Sequence, residues 1–234
     1  MQRRIICFHC AGGNAAMFQS WRQWLPSDTD LCAVTLPRET RTSAAKSREE
    51  LEQRWERLIE HTIGRLEPLL KIPFVLFGHS MGALLAYEIA RRSQLRGRKA
   101  QNLIVSARAA PQNRVISGVR EMSDSELMHY LVLLGGTSPG VFKDPELCAM
   151  VVAQVRDDMG LCDAYAPGKL DRLNTPLTIF GGNADPTVSM KQLDGWRELT
   201  IGRTAMHIFP GGHFYLIPPS IKFQNVVLEC LESC

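Results

Sequence analysis

The chain has 234 residues, 45% of them hydrophobic and 22% charged, with a formal net charge of +3. That length sits at the upper end for one domain and can bury a full core. The small charge imbalance leaves no electrostatic footprint for nucleic acid, and with no apolar run of 18 residues nothing reads as a membrane span.

Arg4–His9 is predicted to be the first strand. Only four apolar residues, Ile5 to Phe8, precede His9, too few for the apolar region of a secretion signal, so the expected location is cytoplasmic. The seven cysteines (Cys7, Cys10, Cys32, Cys148, Cys162, Cys230 and Cys234) are odd in number and scattered through apolar segments, unlike a secreted disulfide framework. Cys7 and Cys10 form a C-x-x-C, but no second pair stands at ligand spacing, so buried or loop thiols are expected rather than a redox or metal site. Cys10 would be reactive only if it lines the site.

Further strands are expected at Leu31–Leu36, Phe74–Phe77, Asn102–Ser106, Leu177–Phe180 and Ala205–Phe209, and helices at Asn14–Trp24, Arg48–Leu66, Met81–Arg92, Met190–Leu199 and Pro219–Leu231. Strand and helix alternate, which predicts an α/β fold with a mostly parallel sheet covered on both faces. The alternation breaks over about 112–172, where two helices follow one another. The first opens on the capping box Ser123-Asp124-Ser125-Glu126 and stops at Gly135-Gly136. The second opens on Asp144-Pro145-Glu146, a cap with proline at the first helical position, and carries Leu147, Val151, Val155, Met159 and Cys162 at helical spacing. Two such helices inserted into a sheet read as a lid; the alternative is that they only complete the core. Leu134 to Ser138 imitates the surroundings of a carrier protein's pantetheinylated serine, but Pro139-Gly140 follows at once, so the stretch reads as a turn.

Gly78-His79-Ser80-Met81-Gly82 is a Gly-x-Ser-x-Gly between a predicted strand and a predicted helix. In that context the serine occupies a strained turn and projects its Oγ above the sheet. A Cβ at Gly78 or Gly82 would press on neighbouring backbone, and the Met81 N–H at the start of the helix would face a developing oxyanion. A serine needs a base, and the base an orienting acid, and in α/β-hydrolases these follow in the order Ser, Asp or Glu, His. Asp185, in Gly181-Gly182-Asn183-Ala184-Asp185-Pro186, and His213, in Gly211-Gly212-His213-Phe214, each follow a predicted strand and so sit where ligands gather in such sheets. Asp194 is the nearest rival acid, inside a predicted helix. The second oxyanion donor is expected from the loop after the first strand, at Ala11 beside Gly12-Gly13.

With these residues in view, the chain resembles a stand-alone type II thioesterase of nonribosomal peptide and polyketide synthases. The resemblance rests on Phe8-His9-Cys10-Ala11-Gly12-Gly13, Phe77-Gly78-His79-Ser80-Met81-Gly82-Ala83, Ser106-Ala107-Arg108-Ala109-Ala110-Pro111, Leu133-Leu134-Gly135-Gly136-Thr137, the Gly181–Pro186 stretch, and Phe209-Pro210-Gly211-Gly212-His213-Phe214. It spans nearly the whole chain. It implies a single α/β-hydrolase domain over 1–234, with a helical lid, that frees misprimed or stalled acyl groups from the phosphopantetheine arm of carrier domains. The implied chemistry is a Ser80–His213–Asp185 acyl-enzyme mechanism with Ala11 and Met81 as oxyanion donors. It implies no metal and no cofactor of its own, since the pantetheine belongs to the partner.

The sequence departs from the family at His9-Cys10, where a proline is usual, and at Pro37-Arg38-Glu39-Thr40-Arg41, where the usual Pro-Gly-Arg-Gly is missing. A carboxylester hydrolase or an acyltransferase could use the same three residues. Leu127, Tyr130, Leu131, Val151, Val155 and Met159 are expected to line an acyl channel or close over it. Arg38 and Arg41, with Lys46, are expected to border the mouth and to dock the acidic carrier. The denser run Arg91–Lys99 follows the helix after Ser80 and should lie at the remote end of the sheet, as cations complementing a helix C-terminus.

Overall fold

The computed structural model describes residues 3–37, 47–113, 116–138, 140–168 and 171–232. Arg38, Arg41 and Lys46 lie outside these. Six strands form one sheet: β1 (Arg3–Phe8), β2 (Thr29–Val34), β3 (Phe74–His79), β4 (Asn102–Ser106), β5 (Leu177–Gly182) and β6 (Thr204–Phe209). Their order is β2-β1-β3-β4-β5-β6, and every pair is parallel. The central strands β3, β4 and β5 are buried along their whole length, as expected for strands covered on both faces.

The period-2 pleat sorts side chains into two cores. Ile6, Phe8 and Leu76 point to one layer, with α1 (Arg48–Leu66), α2 (Met81–Leu95) and the end of α4 (Pro145–Ala164). Ile5, Cys7, Val75 and Phe77 point to the other, against Phe18, Trp21 and α6 (Ile221–Glu232).

The elements agree with the expected ones except in detail. Ala15–Gln23 is a 3-10 helix rather than an α-helix, capped by Asn14, whose side chain accepts the Ala16 N–H. Phe18, Trp21 and Trp24 recur every third residue, the 3-10 period. Consecutive rings of this series lie 5.2 Å and 5.1 Å apart. β2 begins two residues earlier than Leu31, because this edge strand takes in polar Thr29 and Asp30, and Asp30 accepts from Arg4 at 2.6 Å. The expected Met190–Leu199 helix divides into α5 (Met190–Asp194) and a 3-10 turn.

The inserted segment is as the caps predict. α3 (Asp124–Leu134) carries the complete capping box of Ser123 and Glu126 and ends at Gly135, φ 73°. Asp144 caps α4 through the N–H groups of Glu146 and Leu147. Val119, Leu127, Leu131, Cys148, Val152 and Val155 form a core of their own. The buried face of α4 therefore runs through Cys148 and Val152, one residue round from the expected Leu147 and Val151, and Leu147 is exposed. α4 is apolar over more than one stripe, because one side meets α3 and another faces the cavity described below.

The first two arginines of the basic run lie inside the last turns of α2 and are held in ion pairs. Arg92 reaches Glu56 at 2.6 Å and also meets Glu60 and Glu88, while Arg91 meets buried Glu88 at 2.8 Å. Tyr165 Oη donates to the same Glu88 at 2.7 Å, so these charges tie α2 to α1 and to the end of α4.

Two glycines test the packing that positions Ser80. At Gly78 a Cβ would lie 2.0 Å from the Gly82 carbonyl oxygen, whereas at Gly64, within α1, it would meet nothing within 4 Å. Urea unfolding should show Gly78→Ala destabilised by about 3 kcal/mol or more. Gly64→Ala should be stabilised by about 0.5–1 kcal/mol, the helix-propensity difference alone.

Candidate active site

Ser80 stands between β3 and α2 with φ 55° and ψ −117°, a region that L-residues with a Cβ rarely occupy. Three contacts hold it there. Its N–H donates to the Ser106 carbonyl at 2.8 Å. Gly78 lets α2 approach β3, and Gly82 lets α2 approach β1, where a Cβ would lie 2.1 Å from the Phe8 oxygen. The serine is 7% exposed and opens into a cavity of about 340 Å³ that His213 also lines.

His213 follows β6, and Asp185 follows β5. The two meet at 2.8 Å, His213 Nδ1 to Asp185 Oδ2, with the carboxylate side chain fully covered. Asp185 Oδ1 accepts from the Thr187 N–H at 2.8 Å and from Thr187 Oγ1 at 2.7 Å, and Thr187 Oγ1 stands 3.0 Å from His213 Nδ1. Burial alone would raise the Asp185 carboxyl; the hydrogen bonds from His213 and Thr187 outweigh it and hold the group below its usual range. The rival Asp194 pairs instead with Arg197 on the surface.

Beneath this pair lies His79, fully buried, its ring centroid 5.0 Å from that of His213. Burial, and next the neighbouring His213, push its pKa well down, so it stays neutral. Its Nδ1 lies 2.8 Å from Ser106 Oγ, which in turn lies 2.6 Å from Tyr215 Oη. A neutral ring here adds no charge against an imidazolium at His213.

The loop after β1 turns under α4. Gly12 has φ 72°, and a Cβ there would lie 2.4 Å from Val155 Cγ2. The Gly12 N–H donates to Asp158 Oδ2 at 2.8 Å, and Gln154 Nε2 donates to the Gly13 carbonyl at 3.3 Å. Ala11 therefore lines the cavity on a loop pinned by the inserted helix. Met81 opens α2 directly after Ser80, so its N–H belongs to the unpaired first turn. Cys10 also lines the cavity, but burial pushes its thiol up to about 12; it is protonated at neutral pH and a weak nucleophile.

Of the residues expected to line an acyl channel, Tyr130, Leu131, Val151, Val155 and Met159 all border the cavity. Leu127 does not. It is fully buried in the insertion's own core, on the side of α3 turned toward α4. Three residues were not anticipated: Thr187, Asp158 and Arg108. Thr187 was signalled by Asp185-Pro186-Thr187, the spacing at which an aspartate accepts from the N–H two residues on. Asp158 ends the charged run Arg156-Asp157-Asp158, and nothing local in the sequence set it apart from its neighbours.

A six-stranded parallel sheet, a strained serine after its third strand, and an acid and a histidine after its fifth and sixth define the α/β-hydrolase class. A family described as thioesterase domain matches residues 3–232. The gramicidin S biosynthesis protein GrsT of Aneurinibacillus migulanus is 31% identical over 231 residues, 98% of this chain and 88% of that protein. Among solved structures, the type II thioesterase BorB of the borrelidin biosynthetic cluster is 33% identical with a TM-score of 0.82, over 99% of this chain and 93% of that one. RedJ, the thioesterase of the prodiginine pathway in Streptomyces coelicolor, is 27% identical with a TM-score of 0.85, over 100% and 91%. The chain belongs to the thioesterase family, and it is a thioester hydrolase.

The Asp185 contacts carry a pH consequence. Because the folded carboxyl titrates below its unfolded counterpart, its contribution to stability is complete above about pH 4 and is lost as pH falls through the folded value. Urea unfolding of the wild type should therefore weaken on acidification from pH 5 to pH 3 more steeply than that of Asp185→Asn. Parallel curves for the two proteins would place the acid sensitivity elsewhere.

Proposed function

We propose that the chain hydrolyses acyl thioesters on the phosphopantetheine arm of carrier domains in a nonribosomal peptide or polyketide synthase, restoring the free thiol after mispriming or stalling. The observation that carries this reading is the convergence of Ser80 and His213 on one apolar-walled cavity in a chain of the thioesterase family. GrsT and BorB, by their names, serve gramicidin S and borrelidin biosynthesis.

In the reaction, Ser80 Oγ attacks the thioester carbonyl while His213 takes its proton. Asp185, buttressed by Thr187, holds the imidazole in the tautomer with the proton on Nδ1 and stabilises the imidazolium. The N–H groups of Ala11 and Met81 receive the developing oxyanion. His213 then protonates the leaving pantetheine thiol, activates a water to cleave the acyl-enzyme, and returns the proton to Ser80. No metal and no cofactor of this chain enter the scheme. α3 and α4 act as a lid whose inner wall meets the acyl chain.

Since Asp158 on α4 fixes Gly12, the lid also fixes the loop that carries the Ala11 donor. The test is the release of free thiol from an acyl-loaded carrier domain. Ser80→Ala should lower turnover by about four orders of magnitude or more. Asp158→Ala should lower kcat about tenfold to a hundredfold, with KM little changed, because an oxyanion donor acts chiefly in the transition state. Turnover of Ser80→Ala within tenfold of wild type would reject the mechanism; a KM effect alone in Asp158→Ala would reject the link from lid to loop.

A further inference from the structure

Among the described residues, the cavity that Ser80 and His213 share has one charged side chain other than those of the reaction itself. Among the described residues lining it there is no aspartate, glutamate or lysine, and Arg108 is the one arginine. Arg108 is half-buried, and among the described residues no hydrogen bond or ion pair engages its guanidinium. That is unusual, because a cation drawn out of water into an apolar-walled site normally has a partner. Elsewhere Arg4 pairs with Asp30, Arg91 and Arg92 with Glu88, and Arg197 with Asp194. The nearby acid Asp163 is occupied by the Ser117 N–H at 3.0 Å and the Ser117 hydroxyl at 2.6 Å.

The position of Arg108 is set by the same contacts that set Ser80. Ser80 donates to the Ser106 carbonyl, and Ala107, φ 52°, turns the chain immediately after β4. Arg108 is therefore two residues from the strand end against which the serine is fixed, within about 7 Å of chain from Ser106. Tyr130 adds a second donor to the same cavity. Burial, and next the charge of Asp185, raise its phenol, whereas Arg108 lowers it; the hydroxyl remains protonated and able to donate. The rest of this wall is apolar, formed by Leu131, Val151, Val155 and Met159.

We propose that Arg108, with Tyr130, forms a carboxylate-binding subsite, and that the acyl groups this enzyme removes most readily are short chains ending in a carboxylate. The guanidinium presents a planar fork of donors that matches a carboxylate in two parallel hydrogen bonds. A phosphate source is disfavoured by distance: the phosphate of the carrier arm lies a whole pantetheine away from the thioester carbon, whereas Arg108 lines the same cavity as the serine. The inference rests on the proposed thioesterase mechanism, since it fixes which end of the substrate lies at Ser80.

The test compares glutaryl-pantetheine with its ω-methyl ester, a neutral near-isostere, and with hexanoyl-pantetheine, on wild type and on Arg108→Met, Arg108→Gln and Arg108→Lys. The wild type should favour the free carboxylate over the methyl ester by about 10- to 100-fold in kcat/KM, the range for a hydrogen bond to a charged group. Arg108→Met and Arg108→Gln should erase that preference and leave hexanoyl turnover within about threefold of wild type. Arg108→Lys should recover part of it, because charge returns without the fork.

Indifference of the wild type to the carboxylate would overturn the subsite without recourse to any variant. Equal losses on all three substrates in the variants would overturn it as well, placing Arg108 on the pantetheine arm or in the fold. Hexanoyl turnover that is abolished by Ser80→Ala keeps the underlying mechanism standing in either case, so failure of the subsite and failure of the mechanism are told apart.

Discussion

Ser80 can hold its left-handed backbone only because two close approaches around it are possible. α2 leans on β3 across Gly78 and on β1 across Gly82, and each approach is closer than any side chain would permit. The helix that starts at Met81 is thereby drawn tight against the carboxyl ends of the central strands, and the hydrogen bond from Ser80 to Ser106 fixes the tip. The positive φ is a local cost that the surrounding sheet overdetermines. The rest of the site is arranged around that fixed point. β5 and β6 deliver Asp185 and His213 at the same edge, and the close packing of Gly182 against Gly211 and Gly212 holds the loops that carry them together.

The second constraint comes from the inserted helices. α4 does not merely roof the cavity: Val155 packs on Gly12, and Asp158 and Gln154 grip the backbone of Gly12 and Gly13. A segment interrupting the alternation of the fold thus meets the loop that follows the first strand. Cavity wall and candidate oxyanion loop become one packed unit. Among the described residues, the polar groups of the cavity between them are His213, Arg108, Tyr130 and a few hydroxyl and thiol groups, set in an otherwise apolar lining.

Much of this was legible in the sequence, for physical reasons. The strand-turn-helix context of Gly-x-Ser-x-Gly, the capping box at Ser123 and the Asp144-Pro145 start are local signals, and local chemistry decides them. The order of Asp185 and His213 after successive strands was legible because parallel topology brings the carboxyl ends of strands to one edge. What was not legible depended on tertiary facing. The stripe on α4 turned by one residue because that helix packs on two sides. Leu127 went to the insertion's core rather than the cavity because its side of α3 faces α4. The three-residue spacing of Phe18, Trp21 and Trp24 marks a 3-10 helix only once the aromatic layer it docks on is known. The grip of Asp158 on Gly12 spans 146 positions, and no periodicity reports such a contact. Cys10 sits in the cavity yet is silenced by burial, a property of its surroundings and not of its neighbours in sequence.

The central claim is that one strained serine, and no other nucleophile of the cavity, carries the acyl group. The most direct measurement is peptide mapping by mass spectrometry after rapid acid quenching of the wild type with an acyl-pantetheine thioester. The account predicts a single acyl increment on the peptide containing Ser80, absent from Ser80→Ala. An acyl increment on Cys10, or turnover with no covalent species and undiminished in Ser80→Ala, would contradict it.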